Sequence, residues 1–239
     1  MQIIISPTKT MQYHLDNLAT EPLFLSKSLN LVKQLQNMSV AQLQKLLKVN
    51  EKTATLNYQR YQNFQINKKS LAIYTYTGLQ YKYFNISQFN PTELNYLNTH
   101  VRILSAFYGL LKPFDGIDYY RLVFNNTLKL YTFWHDLIYQ ELIKNDQVII
   151  NLASNEYAKL VTQFVQEPIL LINIHFKEYV NNKLVTKATN AKMARGLMLA
   201  YIVKNQITDY HLIQNFQEFN YRFDEQLSNE NNYIFIKNA

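Results

Sequence analysis

The chain has no cysteine and only four glycines among its 239 residues. An average protein of this length would contain about 17 glycines. The lack of cysteine excludes disulfides, thiolate metal ligands and thiol-based redox chemistry, so the protein cannot be a thiol peroxidase. Because glycine is so scarce, each one is expected where a side chain would not fit, at a positive φ or at a close backbone contact.

The glycines also lie beside hydroxyl-bearing or basic side chains in the sequence. They are Gly78, Gly109, Gly116 and Gly196. Two interpretations stay open at this point. The glycines mark separate turns and packing contacts, or they converge on one polar binding site.

Long apolar runs are absent as well. No stretch approaches the roughly 20 apolar residues that a membrane-spanning helix needs, and residues 1–7 are too short and too uncharged for a signal peptide. No linker, repeat or low-complexity tract divides the chain. We therefore expect a single domain over residues 1–239, located in the cytoplasm and not bound to a membrane.

The five histidines are far apart, and none has His-x-x-x-His or Glu-x-x-His spacing. Such pairs are typical of zincin and ferritin-like metal sites. The sequence thus predicts no metal centre, and nothing in it points to a cofactor.

The net charge of +7 is concentrated in residues 26–70, which we call the basic segment. This segment holds eight basic residues and one acidic residue, whereas the rest of the chain has sixteen of each. Clustered positive charge of this kind attracts polyanions. The alternative is an ordinary solvated helical surface.

The basic segment has helical periodicity. Ser39 and Gln42 have the spacing of a capping box, and Asn50 can cap a following helix. The pattern predicts two short helices joined by a tight turn at residues 48–50.

Elsewhere, helices and strands alternate without a strict βαβ rhythm. The sequence Asn-Pro-Thr-Glu at residues 90–93 is a strong helix start, and residues 190–205 form a second long helical pattern. These patterns predict an α+β (mixed α/β) fold, a mixed sheet wrapped by helices. The expected strands are residues 2–5, 71–76, 101–107, 148–152 and 169–179, with 221–223 and 233–237 as a pair.

Polar loops follow the expected strands. Ligand sites in α/β sheets usually lie at such strand ends, and a helix that starts there attracts anions. We therefore expect an anion or ligand pocket, with Arg121 and Arg195 on its flanks. Its candidate residues are Ser6, Lys9, Thr10, Gly78, Arg102, Lys112, Tyr120, Arg121, Asn151, Ser154, Lys192 and Arg195.

Glu156 and Tyr157 are the candidate catalytic residues. They follow the strand at 148–152 and can act as acid and base beside the basic residues of the expected pocket. The alternative is that Glu156 only stabilises the first turn of a helix through the helix dipole.

At these loops the chain resembles the YaaA family of bacterial peroxide-stress proteins, and the similarity runs nearly end to end. The segments that carry it are IISPTKT (4–10), YTGL (76–79), RILS (102–105), YGLLKP (108–113), YRL (120–122), FW (133–134), VIINLASNEY (148–157) and ARGLM (194–198).

The resemblance implies survival of hydrogen peroxide, achieved by limiting intracellular free iron and thus oxidative damage to DNA. It also implies a DNA-binding activity and a fold with a helix-hairpin-helix element and a basic cleft, and it brings no established reaction. The helix-hairpin-helix would fall near residues 39–64. Its hairpin normally contains glycines, and here we expect Asn50 to adopt the unusual backbone conformation instead.

Three functions follow from these patterns. The first is a protein that binds duplex or branched DNA without sequence specificity. The second is an enzyme that acts on a small anionic or nucleotide-like substrate. The third is an iron-handling or regulatory protein that needs a partner. The expected DNA contacts are Lys45, Lys48, Asn50, Lys52 and Arg60.

Overall fold

The computed structural model describes residues 1–66, 68–124 and 126–238, and it confirms the mixed α/β class. The strands are β1 (Gln2–Ile5), β2 (Ser70–Leu71), β3 (Val101–Ser105), β4 (Gly109–Leu111), β5 (Gly116–Ile117), β6 (Val148–Asn151), β7 (Leu170–Val180), β8 (Lys183–Val185), β9 (Tyr221–Phe223) and β10 (Asn232–Lys237). The helices are α1 (Leu25–Gln36), α2 (Val40–Leu47), α3 (Glu51–Gln62), α4 (Ala72–Thr75), α5 (Leu79–Phe84), α6 (Pro91–His100), α7 (Leu130–Trp134), α8 (Leu137–Leu142), α9 (Asn155–Thr162) and α10 (Ala188–Lys204). Short 3₁₀ helices occupy Ile86–Gln88, Tyr210–Asn215 and Glu218–Asn220.

The main sheet has the strand order β4-β3-β1-β6-β7-β10-β9, and β8 pairs with β7. Strands β3, β1, β6, β7 and β10 are parallel, whereas β4, β8 and β9 are antiparallel to their neighbours. Ile4 lies opposite Arg102 on one side and Asn151 on the other. The carboxyl ends of β1, β3 and β6 therefore meet at one edge, and their amino ends meet at the opposite edge.

The strand expected at residues 71–76 is wrong over most of its length. Only Ser70–Leu71 is extended, and Ala72–Thr75 forms one helical turn. The backbone N–H groups of Ala72 and Ile73 donate to carbonyls of residues 113–115, and the Thr75 hydroxyl donates to the Leu71 carbonyl. These contacts outweigh the strand propensity of the aromatic and β-branched side chains.

The helices of the basic segment form as expected. Ser39 and Gln42 make both bonds of a capping box, and the Asn50 side chain accepts from the Thr53 N–H. Asn50 is nevertheless extended (φ −72°), and the left-handed residue of the turn is Lys48 (φ 53°), which corrects the expectation for Asn50. The reason is that the N–H groups of Lys48 and Val49 close the end of α2 on the Gln44 carbonyl, while an N-cap residue must be extended.

The glycines occupy separate close contacts. Gly109 has a φ of +73°, and a Cβ there would lie 2.7 Å from the Trp134 ring. A Cβ at Gly196 would overlap the backbone of Gln80, so α10 and α5 touch through their backbones. Because each glycine meets a different part of the chain, the packing interpretation is the one that the structure supports.

Within the described residues, no helix combines the length and apolarity that crossing a bilayer requires.

Candidate functional site

A buried tyrosine organises the carboxyl ends of the parallel strands. The Tyr120 hydroxyl lies 2.7 Å from the Tyr76 hydroxyl and 2.8 Å from the Ser105 hydroxyl. Ser105 in turn accepts the N–H groups of Phe107 and Tyr108. Burial raises the pKa of Tyr120 to about 12, so the Tyr120 hydroxyl is protonated at neutral pH. The hydrogen-bonding capacity of Tyr120 is used inside the protein.

Three of the expected pocket residues meet at this edge and bond locally. The Ser6 hydroxyl accepts from the Ser154 N–H at 2.8 Å, and the Ser6 carbonyl accepts from the Tyr81 hydroxyl at 3.0 Å. Asn151 accepts from the Ala153 N–H at 2.9 Å. Ser154 occupies the N-cap position of α9 but makes no capping bond. We call Ser6, Tyr76, Tyr81, Ser105, Tyr120 and Ser154 the hydroxyl cluster.

Glu156 lies at the start of α9 with its side chain exposed. One carboxylate oxygen accepts from the Phe124 N–H at 3.2 Å, and the Glu156 carbonyl accepts from the Tyr131 hydroxyl at 2.8 Å. Tyr157 is buried. Its pKa is raised, mainly by burial and to a smaller extent by the nearby Tyr120 and Glu156. These contacts favour a structural role for Glu156, and catalysis by Glu156 and Tyr157 stays a prediction.

The structure separates Arg102 and Lys112 from the hydroxyl cluster. Arg102 is the second residue of β3, so it lies near the amino ends of the parallel strands. Strand β4 runs antiparallel and brings Lys112 back to the same end. Both residues line a cavity there with Gln2 and Asp115. The sequence places both residues in segments near expected strands but does not show at which end of the sheet they lie.

Arg195 is partly buried on α10. Among the described residues it has no carboxylate within 4.0 Å, and its Nε–H has no hydrogen-bond partner. Burial lowers its pKa. Gln80 on α5, where Gly196 packs, also has a buried and unpaired Nε2 group. The packed helices α5 and α10 thus each carry a buried side-chain donor group without a partner.

The remaining pocket candidates differ in exposure. Lys9, Thr10 and Lys192 are exposed. Arg121 is partly buried, and its backbone is tied to Tyr61, whose hydroxyl donates to the Arg121 carbonyl at 2.6 Å. Gly78 packs against the Thr8 side chain.

The exposed positive charge lies on the helical pair α2–α3. Lys45, Lys48, Asn50 and Lys52 are all exposed. A groove of about 510 Å³ runs beside α2. Its lining comprises Met38, Gln42, Lys45, Leu46, Lys48, Asn126 and Thr127.

Sequence reasoning missed an aromatic stack at the end of the basic segment. The rings of Tyr13 and Tyr119 stack with centroids 3.7 Å apart. Arg60 covers the outer part of the stack at 4.9 Å from the Tyr119 centroid, and Lys68 lies 4.1 Å from that of Tyr13. Tyr13 and Tyr119 are too far apart in the chain for a sequence pattern to connect them. Arg60, an expected DNA contact, is therefore partly engaged with an aromatic ring.

Together these features define a mixed α/β protein with two distinct polar regions: strand ends closed by hydroxyl groups and an exposed basic helical pair. Across the described residues, no group of three or more His, Asp or Glu side chains is arranged to hold a metal ion.

The sequence model of the family described as peroxide stress protein YaaA matches residues 1–227. A UPF0246 protein of Desulfitobacterium hafniense is 39% identical over 246 residues, covering 99% of this chain and 98% of its own. UPF0246 proteins of Lactiplantibacillus plantarum (39%, with 99% of both chains covered) and Limosilactobacillus reuteri (40%, with 98% of both covered) are similar. The chain belongs to the YaaA (UPF0246) family of peroxide stress proteins, as the sequence motifs indicated.

Proposed function

We propose that this peroxide stress protein binds DNA without sequence specificity through the surface of α2 and α3, and that this binding limits iron-dependent oxidative damage to DNA. The observation that carries the proposal is the set of exposed, unpaired lysines. Lys45, Lys48 and Lys52 have no carboxylate within 4.0 Å among the described residues. Their charge is thus available to phosphates.

The backbone of the turn supports the same proposal. The N–H groups of Lys48 and Val49 bond to α2, and that of Thr53 bonds to the Asn50 side chain. In the described part of the chain, the N–H groups of residues 50–52 make no backbone bond. Free N–H groups at a helix start attract phosphate, although the Glu51 carboxylate in the first turn opposes this. We assign most of the attraction to the lysines, and the helix-hairpin-helix identity of the pair stays a prediction.

Lysines favour phosphate contacts over base contacts. The ammonium group is a compact point charge, and contacts to phosphate carry no sequence information. The one arginine of this surface, Arg60, lies against the Tyr119 ring. We therefore expect duplexes of different sequence to bind alike.

The test is a triple variant, Lys45→Ala, Lys48→Ala and Lys52→Ala, measured by fluorescence anisotropy on two duplexes of unrelated sequence over a range of salt concentrations. The wild type should bind both duplexes alike. Each lost phosphate contact should flatten the dependence of log K on log salt by about 0.9. The triple variant should thus bind both duplexes more weakly and with a shallower slope.

A matched control removes three exposed lysines outside the basic segment: Lys82→Ala, Lys183→Ala and Lys204→Ala. It changes the net charge by the same amount and should keep the wild-type salt slope. Equal losses in both variants would show that only net charge matters. Unchanged binding in the first variant, or no binding by the wild type at low salt, would overturn the proposal.

A second function, catalysis on a small anionic or nucleotide-like substrate, is favoured by the unpaired donors of Arg195 and Gln80. Such donors are costly to bury unless an acceptor binds to them. We expect phosphate or a nucleotide to raise the Tm of the wild type. The same ligand should raise it less in Arg195→Lys, since a point charge does not reproduce the guanidinium geometry. A response equal in both proteins would remove Arg195 from the site.

A further inference from the structure

A partly enclosed cavity of about 190 Å³ lies at the amino ends of the parallel strands, away from both regions discussed so far. It takes no part in the DNA-binding proposal. Its lining comprises Gln2, Thr20, Glu21, Leu23, Arg102, Leu110, Lys112, Asp115, Glu141, Leu142, Asn145 and Asp146. The lining combines positive charge, acceptor groups and leucines.

Two basic residues belong to the lining. Ile103 and Leu111 form the last pair of the antiparallel strands β3 and β4, and Arg102 and Lys112 follow directly beyond it, where both line the cavity. The Asp115 carboxylate lies near them, and both bases act on its pKa. Arg102 donates two bonds through one nitrogen, to the carbonyls of Asn98 and Val101. The rest of its guanidinium has no hydrogen-bond partner among the described residues.

Other residues of the lining carry acceptors. Gln2 is 8% exposed, and its Oε1 atom is buried without a partner, while its Nε2 donates to Asp146 at 2.6 Å. The Asp146 carboxylate also accepts from the amino terminus. Glu141 uses one oxygen in an ion pair with Lys144. An unpaired buried oxygen costs stability, and a donor in the cavity would remove that cost.

The acidic groups of the lining act on Arg102 without forming an ion pair with it. Asp115, Asp146 and Glu141 all act on the pKa of Arg102, yet none of these carboxylates is within 4.0 Å of it. Asp115 instead accepts from the Thr20 hydroxyl at 2.7 Å and the Lys112 N–H at 2.8 Å. The lining thus holds two basic residues, Arg102 and Lys112, and four acidic ones, Glu21, Asp115, Glu141 and Asp146, so a ligand with both signs of charge can find a partner for each.

The geometry points to a binding site for a free α-amino acid with an aliphatic side chain. Its carboxylate would lie between Arg102 and Lys112. Its ammonium group would donate to Gln2 Oε1 and Glu141. Its side chain would lie against Leu110 and Leu142 of the lining.

The size of the cavity agrees with this ligand. At about 30 Å³ for each water in the liquid, the cavity has room for about six waters. Pockets for drug-sized molecules start at about 300 Å³. The volume therefore matches a small ligand such as leucine or valine better than a nucleotide.

Isothermal titration calorimetry with leucine, N-acetyl-leucine and leucine methyl ester tests the assignment on the full chain. The acetyl derivative lacks the ammonium charge, and the ester lacks the carboxylate. Leucine should bind, and each derivative should bind at least about tenfold more weakly because one charged contact is lost. No binding of leucine, valine or isoleucine at millimolar concentration, or equal binding of all three leucine compounds, would overturn the assignment.

Two surface-accessible variants locate the site without the risk of removing Arg102. Lys112→Met should weaken binding of leucine and N-acetyl-leucine but not of the ester. Glu141→Gln should weaken binding of leucine and the ester but not of N-acetyl-leucine. The matched controls Lys183→Met and Glu230→Gln, both at exposed positions elsewhere, should bind leucine as the wild type does. Leucine binding that neither Lys112→Met nor Glu141→Gln weakens would place the ligand elsewhere and overturn the assignment.

Discussion

The two ends of the parallel strands use their polar residues differently. At the carboxyl ends, the hydroxyl groups of Tyr76, Ser105 and Tyr120 bond to one another and are buried. At the amino ends, Arg102 and Lys112 face a cavity that also contains an unpaired oxygen of Gln2. Ligands in α/β sheets usually bind at the carboxyl ends. Polar groups that bond to each other leave no donor or acceptor for a ligand, whereas unpaired groups keep theirs available.

The largest expected effect comes from Tyr120→Ala in the hydroxyl cluster. Removing this ring should lower the free energy of unfolding by about 3–5 kcal/mol, as for other buried aromatic residues. Tyr120→Phe keeps the ring and should cost about 1–3 kcal/mol, because Tyr76 and Ser105 lose a shared partner. Urea unfolding of both variants measures these values. If Tyr120→Phe has wild-type stability but loses function, the carboxyl end is a ligand site after all.

The second effect concerns the amino end and depends on pH. Burial raises the pKa of Asp115 to about 6, above its value near 3.9 in an unfolded chain. The folded protein therefore holds this proton more tightly, and the contribution of Asp115 to stability falls as the pH rises from about 4 to above 6. Over that range the loss should be about 3 kcal/mol.

Asp115→Asn removes this titration. The free energy of unfolding of the wild type relative to Asp115→Asn should thus decrease between about pH 4 and pH 7, measured by urea unfolding at each pH. A difference that is independent of pH would contradict the raised pKa of Asp115.

The third effect compares two glycines near the carboxyl end. A Cβ at Gly196 meets the backbone of Gln80, which cannot move without shifting α5, so Gly196→Ala should cost about 1–3 kcal/mol or more. A Cβ at Gly78 meets only the partly exposed Thr8 side chain, and the φ of Gly78 is −70°. Because the Thr8 Cβ would lie only 2.8 Å from the added Cβ and moves only with its backbone, Gly78→Ala should cost about 1–2 kcal/mol, less than Gly196→Ala, in which a helix backbone must shift. Thermal unfolding of the pair checks the order, and the reverse order would contradict it.

The smallest effect lies outside both strand ends. Lys48 has a left-handed backbone, which is unfavourable for an L-residue, so Lys48→Gly should raise the free energy of unfolding by up to about 1 kcal/mol. Lys45→Gly removes the same charge within α2 and should instead cost about 1 kcal/mol. Both should weaken DNA binding alike. If only the destabilised variant loses DNA binding, folding rather than charge explains the loss.

Local signals predicted most of the secondary structure. The caps at Ser39, Asn50 and Asn90 each form in the structure, because a cap depends on residues within one turn. The prediction of a strand at 71–76 was wrong because the N–H groups of this segment donate to carbonyls of residues 113–115. These carbonyls are about 40 residues away in the chain, so no local sequence pattern shows the contact. The conformation of Lys48 was missed although its contacts are local: Asn50 caps α3 and is extended, so the turn takes its left-handed residue at the end of α2.

The structure brings only some of the candidate site residues together. Ser6, Asn151 and Ser154 do meet, as expected for loops that follow neighbouring parallel strands. Arg102 and Lys112 lie at the opposite ends of the strands from these residues. Placing them from the sequence would have required the directions of β3 and β4 relative to β1, which local patterns do not give. The stack of Tyr13 on Tyr119 required contacts between segments far apart in the chain.

The sequence by itself determined the family, the mixed α/β class, the location of the positive charge and the exclusion of thiol chemistry, because these depend on residue identity and short-range order. The tertiary structure decided which polar groups bond to each other and which stay unpaired. Whether Tyr120 or Gln2 can receive a ligand depends on partners contributed by other strands and helices. Those partners come together only when the sheet forms.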